Sequence, residues 1–202
     1  MSNFPSFGTT IYKDVIIDSV KKNICIDVVK IDTINISQLT DWVSIIDESY
    51  TDCKFTIESA KKILNEHPYY TDVDCFIFYI EGEPVATMSI GVYKHRPNIG
   101  GNFRFGVRKS YQNLQLGKTV LLYGFASLRD RGINLCESII ASKREKSFML
   151  HSSVGFKTQT NSDYHVFKDD LKSVNTLQQF RLKMRIKQYI KKFITYQNKK
   201  FL

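Results

Sequence analysis

Residues 102–156 read strand, turn, helix, strand, helix, and the turn in that run constrains the chain more than any other stretch. An apolar-alternating strand, Phe103-Arg104-Phe105-Gly106-Val107, empties into the polar turn Tyr111-Gln112-Asn113-Leu114-Gln115-Leu116-Gly117-Lys118. A helix is expected next, over 118–131. A strand that passes through a polar turn into a helix N-terminus builds an anion site. The first N–H groups of the helix have no intrahelical partner, and the helix dipole adds partial positive charge. Gly117 lacks a Cβ, so a ligand can come close to the main chain there. The turn is suited to a phosphorylated cofactor.

The spacing is not that of a P-loop, which needs Gly, four residues, then Gly-Lys-Ser/Thr. Nor is it the three-glycine dinucleotide fingerprint. Val107…Gln112-x-x-Gln115-x-Gly117 instead resembles the acyl-CoA-binding motif of the GNAT superfamily of N-acyltransferases. That motif is usually Gln or Arg, two residues, Gly, one residue, then Gly or Ala; here Gln115 stands at the first Gly. Downstream, Arg144-x-x-Ser147-x-x-Leu150-His151-x-x-x-Gly155-Phe156 is similar to the superfamily's later motif, usually Asn-x-x-Ala-x-x-Leu-Tyr-x-x-x-Gly-Phe. Arg144 occupies the Asn position and His151 the Tyr position. The two matches occur in order, with one helix and one strand between them.

The resemblance implies an α/β fold: a mixed, mostly antiparallel sheet with helices on both faces. It implies acetyl-CoA, or another acyl-CoA, as co-substrate, no metal, and direct attack by an amine without an acyl-enzyme. It implies cofactor contacts from Phe105 and Val107 on the strand, from Gln112, Gln115, Leu116, Gly117, Lys118 and Thr119 in and after the turn, and from Arg144 and Ser147 in the later motif. An oxyanion donor is expected near Val107, where the strand would be splayed open, and Gly106 would ease a bulge there or relieve crowding against a neighbour. Arg108 and Lys109 face either the 3′-phosphate of CoA or solvent.

Amine attack on a thioester needs a deprotonated amine, polarisation of the carbonyl and a proton for the departing thiolate. By resemblance His151 stands where a Tyr often supplies that proton. An imidazole near its reference pKa of about 6.5 can do so in its charged or donor form. The alternative is an ordinary histidine on a helix flank, with Ser152 as a fallback donor. For the amine's base Glu137, Tyr164 and His165 remain open, with Glu137 carried forward as the candidate. Arg104 on the cofactor strand would favour a carboxylate-bearing acceptor if it points into the acceptor cleft.

At 202 residues the chain suits one domain with appendages. The expected division is an N-terminal arm over 1–22, the acyltransferase-like domain over 23–170, and a basic amphipathic C-terminal helix within 171–202. Of the 29 Lys and Arg residues, nine lie in 171–202, which has no Asp or Glu; the remaining 20 balance the 20 acidic residues. The net charge of +9 therefore describes the tail, not the domain. At about 100° per residue, Leu182, Ile186, Tyr189, Ile190, Phe193 and Tyr196 share one face of a helix over 176–196. That face packs on the domain, pairs with a second copy as a homodimer, or carries its lysines to an anionic membrane, nucleic acid or a partner protein. There is no run of eighteen apolar residues and no signal-peptide pattern at the N-terminus, so a cytoplasmic setting is expected. Cys25, Cys53, Cys75 and Cys136 are scattered and read as reduced thiols, not a zinc site.

Along the domain, 11–20 is a candidate edge strand and 23–31 the first core strand. Asn35 with Gln38 reads as a capping box ahead of a helix striped by Leu39, Trp42, Val43, Ile46 and Tyr50; Thr56 caps a second helix. Asp41, Asp47, Glu48 and Glu58 are expected on the solvated sides of that pair. A hairpin turns at 81–84, 94–101 reads as a polar loop, and 156–160 with 164–168 as a closing hairpin. The acceptor is a small-molecule or peptide amine, bordered by the helix pair and the 94–101 loop. The rival reading is a catalytically degenerate CoA-binding or interaction module anchored by its tail; a third is transfer of longer acyl chains.

Overall fold

The computed structural model describes residues 11–19, 22–50, 54–141, 144–160 and 164–170; of 11–19, 22–25, 158–160 and 164–170 it describes the backbone alone. The first ten residues and the expected tail helix lie outside the described residues, as do Cys53 and its loop at 51–53. Eight strands form one sheet. They are β1 (Ile11–Ser19), β2 (Lys22–Lys30), β3 (Tyr70–Ile80), β4 (Glu83–Tyr93), β5 (Arg96–Val107), β6 (Leu135–Ala141), β7 (Lys157–Thr160) and β8 (Tyr164–Asp170). Their order is β1-β2-β3-β4-β5-β6-β8-β7, and every neighbouring pair is antiparallel except β5 with β6. The helices are α1 (Ile36–Ser49), α2 (Ile57–Asn65), α3 (Leu116–Asp130) and α4 (Glu145–Ser153). The expected α/β architecture, with helices on both faces of a mostly antiparallel sheet, is what the chain adopts.

Alternation along the strands separates two cores. Phe76, Phe78, Met88 and Ile90 point to α3, meeting Leu116, Val120, Leu121, Tyr123 and Phe125, and α4 joins this face through Phe148 and Leu150. Cys75 and Ile77 point the other way, to Leu39, Trp42, Ile45 and Ile46 of α1 and Ala60 and Leu64 of α2. α1 carries no acid in its first turn and no base in its last, so it gains nothing from the helix dipole. Its stability comes from burial, at about 1.5–3 kcal/mol for each fully covered large apolar side chain.

Local signals hold with instructive exceptions. The hairpin between β3 and β4 closes on Glu81 and Gly82 alone, with φ of +52° and +82°, as a tight two-residue turn requires. Asn35 accepts from the Gln38 N–H at 3.2 Å, but the Gln38 side chain turns outside the helix to accept from the Asp32 N–H at 2.7 Å. The reciprocal box forms instead at α2, between Thr56 and Ser59. The expected loop at 94–101 is mostly strand. Pro97 falls where pairing jumps from Tyr93↔Arg96 to Val92↔Gly100, a bulge that asks no N–H of it. Gly100 and Gly101 are strand residues whose missing Cβ atoms make room for Leu128 and the Tyr70 ring.

Of the expected solvated acids, only Glu58 is fully exposed. Asp41 accepts from Tyr79 at 2.7 Å and Asp47 from the Phe55 N–H at 2.9 Å. Glu48 receives Arg108 Nη1 and the Lys109 N–H, both at 2.7 Å. Burial pulls the Glu48 carboxyl up, but those donors win and hold it below the usual carboxylate value.

Candidate active site in the split between β5 and β6

β5 and β6 pair only over Ile99↔Leu135, Gly100↔Cys136 and Gly101↔Glu137. Beyond Gly101 they part, and the apex is filled by polar side chains. Ser138 Oγ donates to Asn102 Oδ1, and Asn102 Nδ2 lies 3.4 Å from His151 Nε2. His151 Nδ1 lies 2.8 Å from the Ser147 carbonyl, which fixes its proton on Nδ1 and leaves Nε2 to accept from Asn102. The imidazole is 1% exposed, and burial drives its pKa down to about 4, against a smaller upward pull from the Ser147 bond. It is therefore neutral near pH 7, with its proton given to a carbonyl. In this geometry the two ring nitrogens of His151 face Ser147 and Asn102.

A bulge shapes the open part of β5. Ser89 pairs with Phe103 and Thr87 with Gly106, so Met88 alone faces Arg104 and Phe105. Arg104 takes the left-handed conformation, φ +48°, at a cost of about 1–2 kcal/mol for a residue with a Cβ. The bulge thus sits at Arg104, not Gly106. Gly106 resumes pairing, and its missing Cβ makes room for Ser49, whose Oγ would lie 2.6 Å from it. Pairing alternates along an antiparallel ladder. Arg108 donates to the Val85 carbonyl at 2.9 Å, so Val107, opposite Ala86, turns its N–H away from β4 and toward the gap.

β5 consequently divides its side chains. Phe105 and Val107 pack with the α3–α4 core. Phe103 and Arg104 belong to the α1–α2 side, where Phe103 stacks on Tyr70 at 4.9 Å and contacts His67 at 4.4 Å. Arg104 Cζ lies 4.6 Å from the Phe55 ring centroid and 5.9 Å from that of Tyr50. Arg144, N-cap of α4, covers Tyr50 at 4.4 Å. The Tyr50 hydroxyl donates to the Phe105 carbonyl at 3.1 Å. Desolvation first, then the charges of Arg104 and Lys94, push His67 down to about 4.

On the other side lies the turn. α3 begins at Leu116, behind Gln115 as N-cap with φ +59°, ψ 5°. The position usually held by Gly is thus left-handed here as well, and Gln115 adopts it; Asn113 is left-handed too, φ +66°. Among the described residues, no carbonyl or side chain accepts from the N–H groups of Asn113, Leu114, Gln115, Leu116, Gly117 or Lys118; Thr119 is the first in the turn to find one, Gln115 O at 3.2 Å. Gln112 Nε2 caps the Val107 carbonyl at 3.1 Å. A Cβ on Gly117 would lie 3.3 Å from Leu150 and 3.5 Å from Phe105, so this glycine sits against the floor between α3 and α4. Leu116 is buried in the core and contributes only main chain; Gln115 and Lys118 are exposed. Arg108 is spent on Glu48, Ser44 and the Pro84 carbonyl, at 2.7, 2.8 and 2.7 Å, and is not held out for a phosphate.

Glu137 is 7% exposed and takes a bidentate pair from Arg96, at 2.9 and 2.8 Å. It meets an incoming amine only if that pair opens. Tyr164 and His165 lie on β8, of which only the backbone is described.

Residues 39–156, more than half of the chain, match the family model described as Acetyltransferase (GNAT) family. The chain belongs to the GNAT acetyltransferase family. No curated protein matches its sequence. Solved structures share the fold. The ribosomal-protein-S18-alanine N-acetyltransferase of Escherichia coli is 16% identical with a TM-score of 0.58, over 72% of this chain and 94% of that one. The PaiA N-acetyltransferase of Thermoplasma acidophilum, solved in complex with coenzyme A, is 16% identical with a TM-score of 0.56, over 72% and 98%. The GNAT domain of S. lividans PAT is 15% identical with a TM-score of 0.60, over 83% and 99%. GNAT proteins use acetyl-CoA; in this chain a run of N–H groups with no acceptor among the described residues opens α3 beside a sheet already parted.

Sequence reasoning missed Asn102 and Ser138 at the apex and the rings of His67 and Tyr70; the stretch from Tyr50 to Phe55, between the two helices, reads from the sequence either as a surface loop or as one that touches the acceptor. The one available signal was Arg104 itself, a cation between two phenylalanines on a core strand.

Proposed function

We propose that this GNAT protein transfers an acetyl group from acetyl-CoA to a primary amine by direct attack. The observation that carries the reading is the N–H run from Asn113 to Lys118, without an acceptor among the described residues, at the start of a fifteen-residue helix next to the β5–β6 gap. Acetyl-CoA, when bound, supplies the acyl thioester. The turn amides would hold its diphosphate, with Lys118 and Thr119 adding side-chain contacts. Phe105, Gly117 and Leu150 form an apolar floor on the α3–α4 side. The Val107 N–H, directed to the gap, is the donor for a carbonyl oxygen that gains charge. Gln112 holds the Val107 carbonyl and so fixes that peptide; Ser147 holds His151, and His151 with Asn102 keeps the strands parted at one place. Arg144 and Tyr50 close the far side of the gap. The amine enters from the α1–α2 side.

Isothermal calorimetry tests this directly. Native protein should bind acetyl-CoA, and Gln115→Glu, which adds one exposed negative charge beside the amides, should weaken binding at least tenfold, about 1.4 kcal/mol. No heat with native protein, or equal affinity in both, overturns the reading. Binding without coenzyme A release toward any amine would favour a degenerate binding module, a reading that the buried, neutral His151 supports.

A further inference from the structure

Arg104 is the anomaly of the acceptor side. Arg96, Arg108 and Arg131 each hold a carboxylate, from Glu137, Glu48 and Asp74. Arg104, half-buried, holds none; among the described residues no carboxylate, carbonyl or hydroxyl accepts from its guanidinium, whose neighbours are the Phe55 and Tyr50 rings. A cation withdrawn from water without an anion is costly, and this one stands on a strained left-handed residue as well. Such costs persist where function needs them. The surroundings define what the guanidinium could take. Tyr50 and Phe55 face the guanidinium, and Tyr70 and Phe103 stack on each other beside His67 on the same side of β5, so its surroundings are largely aromatic. A planar guanidinium beside aromatic walls matches a single carboxylate, which it grips with two parallel N–H bonds.

We propose that Arg104 anchors a carboxylate on the acceptor, so that the amine acetylated here belongs to an amino-carboxylic acid with an apolar body. This rests on the acetyl-transfer reading of the same site. The atoms balance without a further reactant: the amine nitrogen forms the amide bond, the thioester C–S bond breaks, and the nitrogen's proton leaves with the thiolate or to solvent. Arg104 binds the acceptor and takes no proton.

The test uses the full chain with acetyl-CoA and three amine pairs that differ in the carboxylate: L-leucine and L-leucinamide, L-phenylalanine and L-phenylalaninamide, 6-aminohexanoate and hexylamine. Coenzyme A release gives kcat and KM. Native protein should prefer the acid in at least one pair by tenfold or more. Arg104→Gln should raise KM for that acid at least tenfold and bring the acid-to-neutral ratio close to one, with KM for acetyl-CoA held at the native value. Arg104→Gly should do the same while relaxing the positive φ, which separates the effect from misfolding; Arg104→Lys should retain part of the preference. O-phosphoethanolamine serves as the phosphate arm, and its preference over all three acids would overturn the carboxylate assignment. So would preference for the neutral member in every pair, or a variant effect confined to acetyl-CoA. If acetyl-CoA binds but no amine is turned over, calorimetry of the three acids with CoA-saturated protein decides: binding lost in Arg104→Gly sustains the proposal, and no binding to native protein ends it. Failure of acetyl-CoA itself to bind brings down the acetyl-transfer reading and this proposal together.

Discussion

The two sides of β5 are built by different means. On the α3–α4 side the groups left open to the proposed cofactor are main-chain N–H donors from Asn113 to Lys118 and at Val107, and the side chains there either pack, as Leu116 does, or face solvent, as Gln115 and Lys118 do. On the α1–α2 side the groups facing the proposed acceptor are side chains, Tyr50, Phe55, His67, Tyr70, Phe103 and Arg104, gathered from the end of α1, the two stretches flanking α2, and the strands β3 and β5. A site made of main chain is written in one short stretch and tolerates many side chains. A site made of side chains is assembled from afar, and single substitutions can remake it.

The strongest attempt to break this contrast is Tyr70→Ala. The Tyr70 ring fills the space left by Gly91 and Gly101 and stacks on Phe103, so its loss should cost about 3–5 kcal/mol in urea unfolding. If the two sides are independent, acetyl-CoA affinity measured on the folded fraction should stay within about threefold of native, well under 1.4 kcal/mol. A large loss of affinity would join the sides into one site.

His151 comes next. Its folded pKa of about 4 lies below the ordinary 6.5, so the unfolded chain takes up a proton that the folded chain refuses. The stability it contributes is complete above about pH 6.5 and is lost as pH falls toward 4, by up to about 1.4 kcal/mol per unit. His67, depressed to the same value but less buried, adds a smaller contribution in the same window. Urea midpoints between pH 7 and 4 should fall more for the native chain than for His151→Gln. That variant should cost about 1–3 kcal/mol at pH 7, yet lower kcat less than tenfold. A hundredfold loss of kcat with full stability would restore His151 as an acid. Glu137→Gln separates the same alternatives on the other side: with both oxygens committed to Arg96, stability and acceptor KM should move more than kcat.

The smallest effect expected is at Gln115. Gln115→Gly relaxes a left-handed residue and should raise stability by about 0.5–1 kcal/mol by thermal or urea unfolding, with acetyl-CoA still bound. Loss of binding would mean that the Gln115 side chain, not the main chain, makes the contact.

This contrast also explains what could be read in advance. The turn into α3, the α1 stripe and the β3–β4 hairpin are local, each encoded by neighbouring residues. The 94–101 stretch misled because Pro97 and two glycines look like loop chemistry, whereas Gly100 and Gly101 are glycines on account of Leu128 and Tyr70, partners far along the chain. Of the two readings of Gly106, relief of crowding holds, against Ser49, while the bulge belongs to Arg104, since register depends on β4. The motif position of His151 gave its address but not where its two nitrogens point, which Ser147 and Asn102 decide.

Among the described residues, three residue pairs between β5 and β6 join the ladder of the sheet's leading strands to that of its trailing ones. Beyond that short seam the two parts of the sheet meet through the Asn102–Ser138 bond and the core they share under α3. A molecule lying in the gap with contacts on both parts becomes a structural member of the protein. Amide hydrogen exchange in β6 and β8 should therefore slow when acetyl-CoA is added, while exchange in β3 and β4 stays as it was.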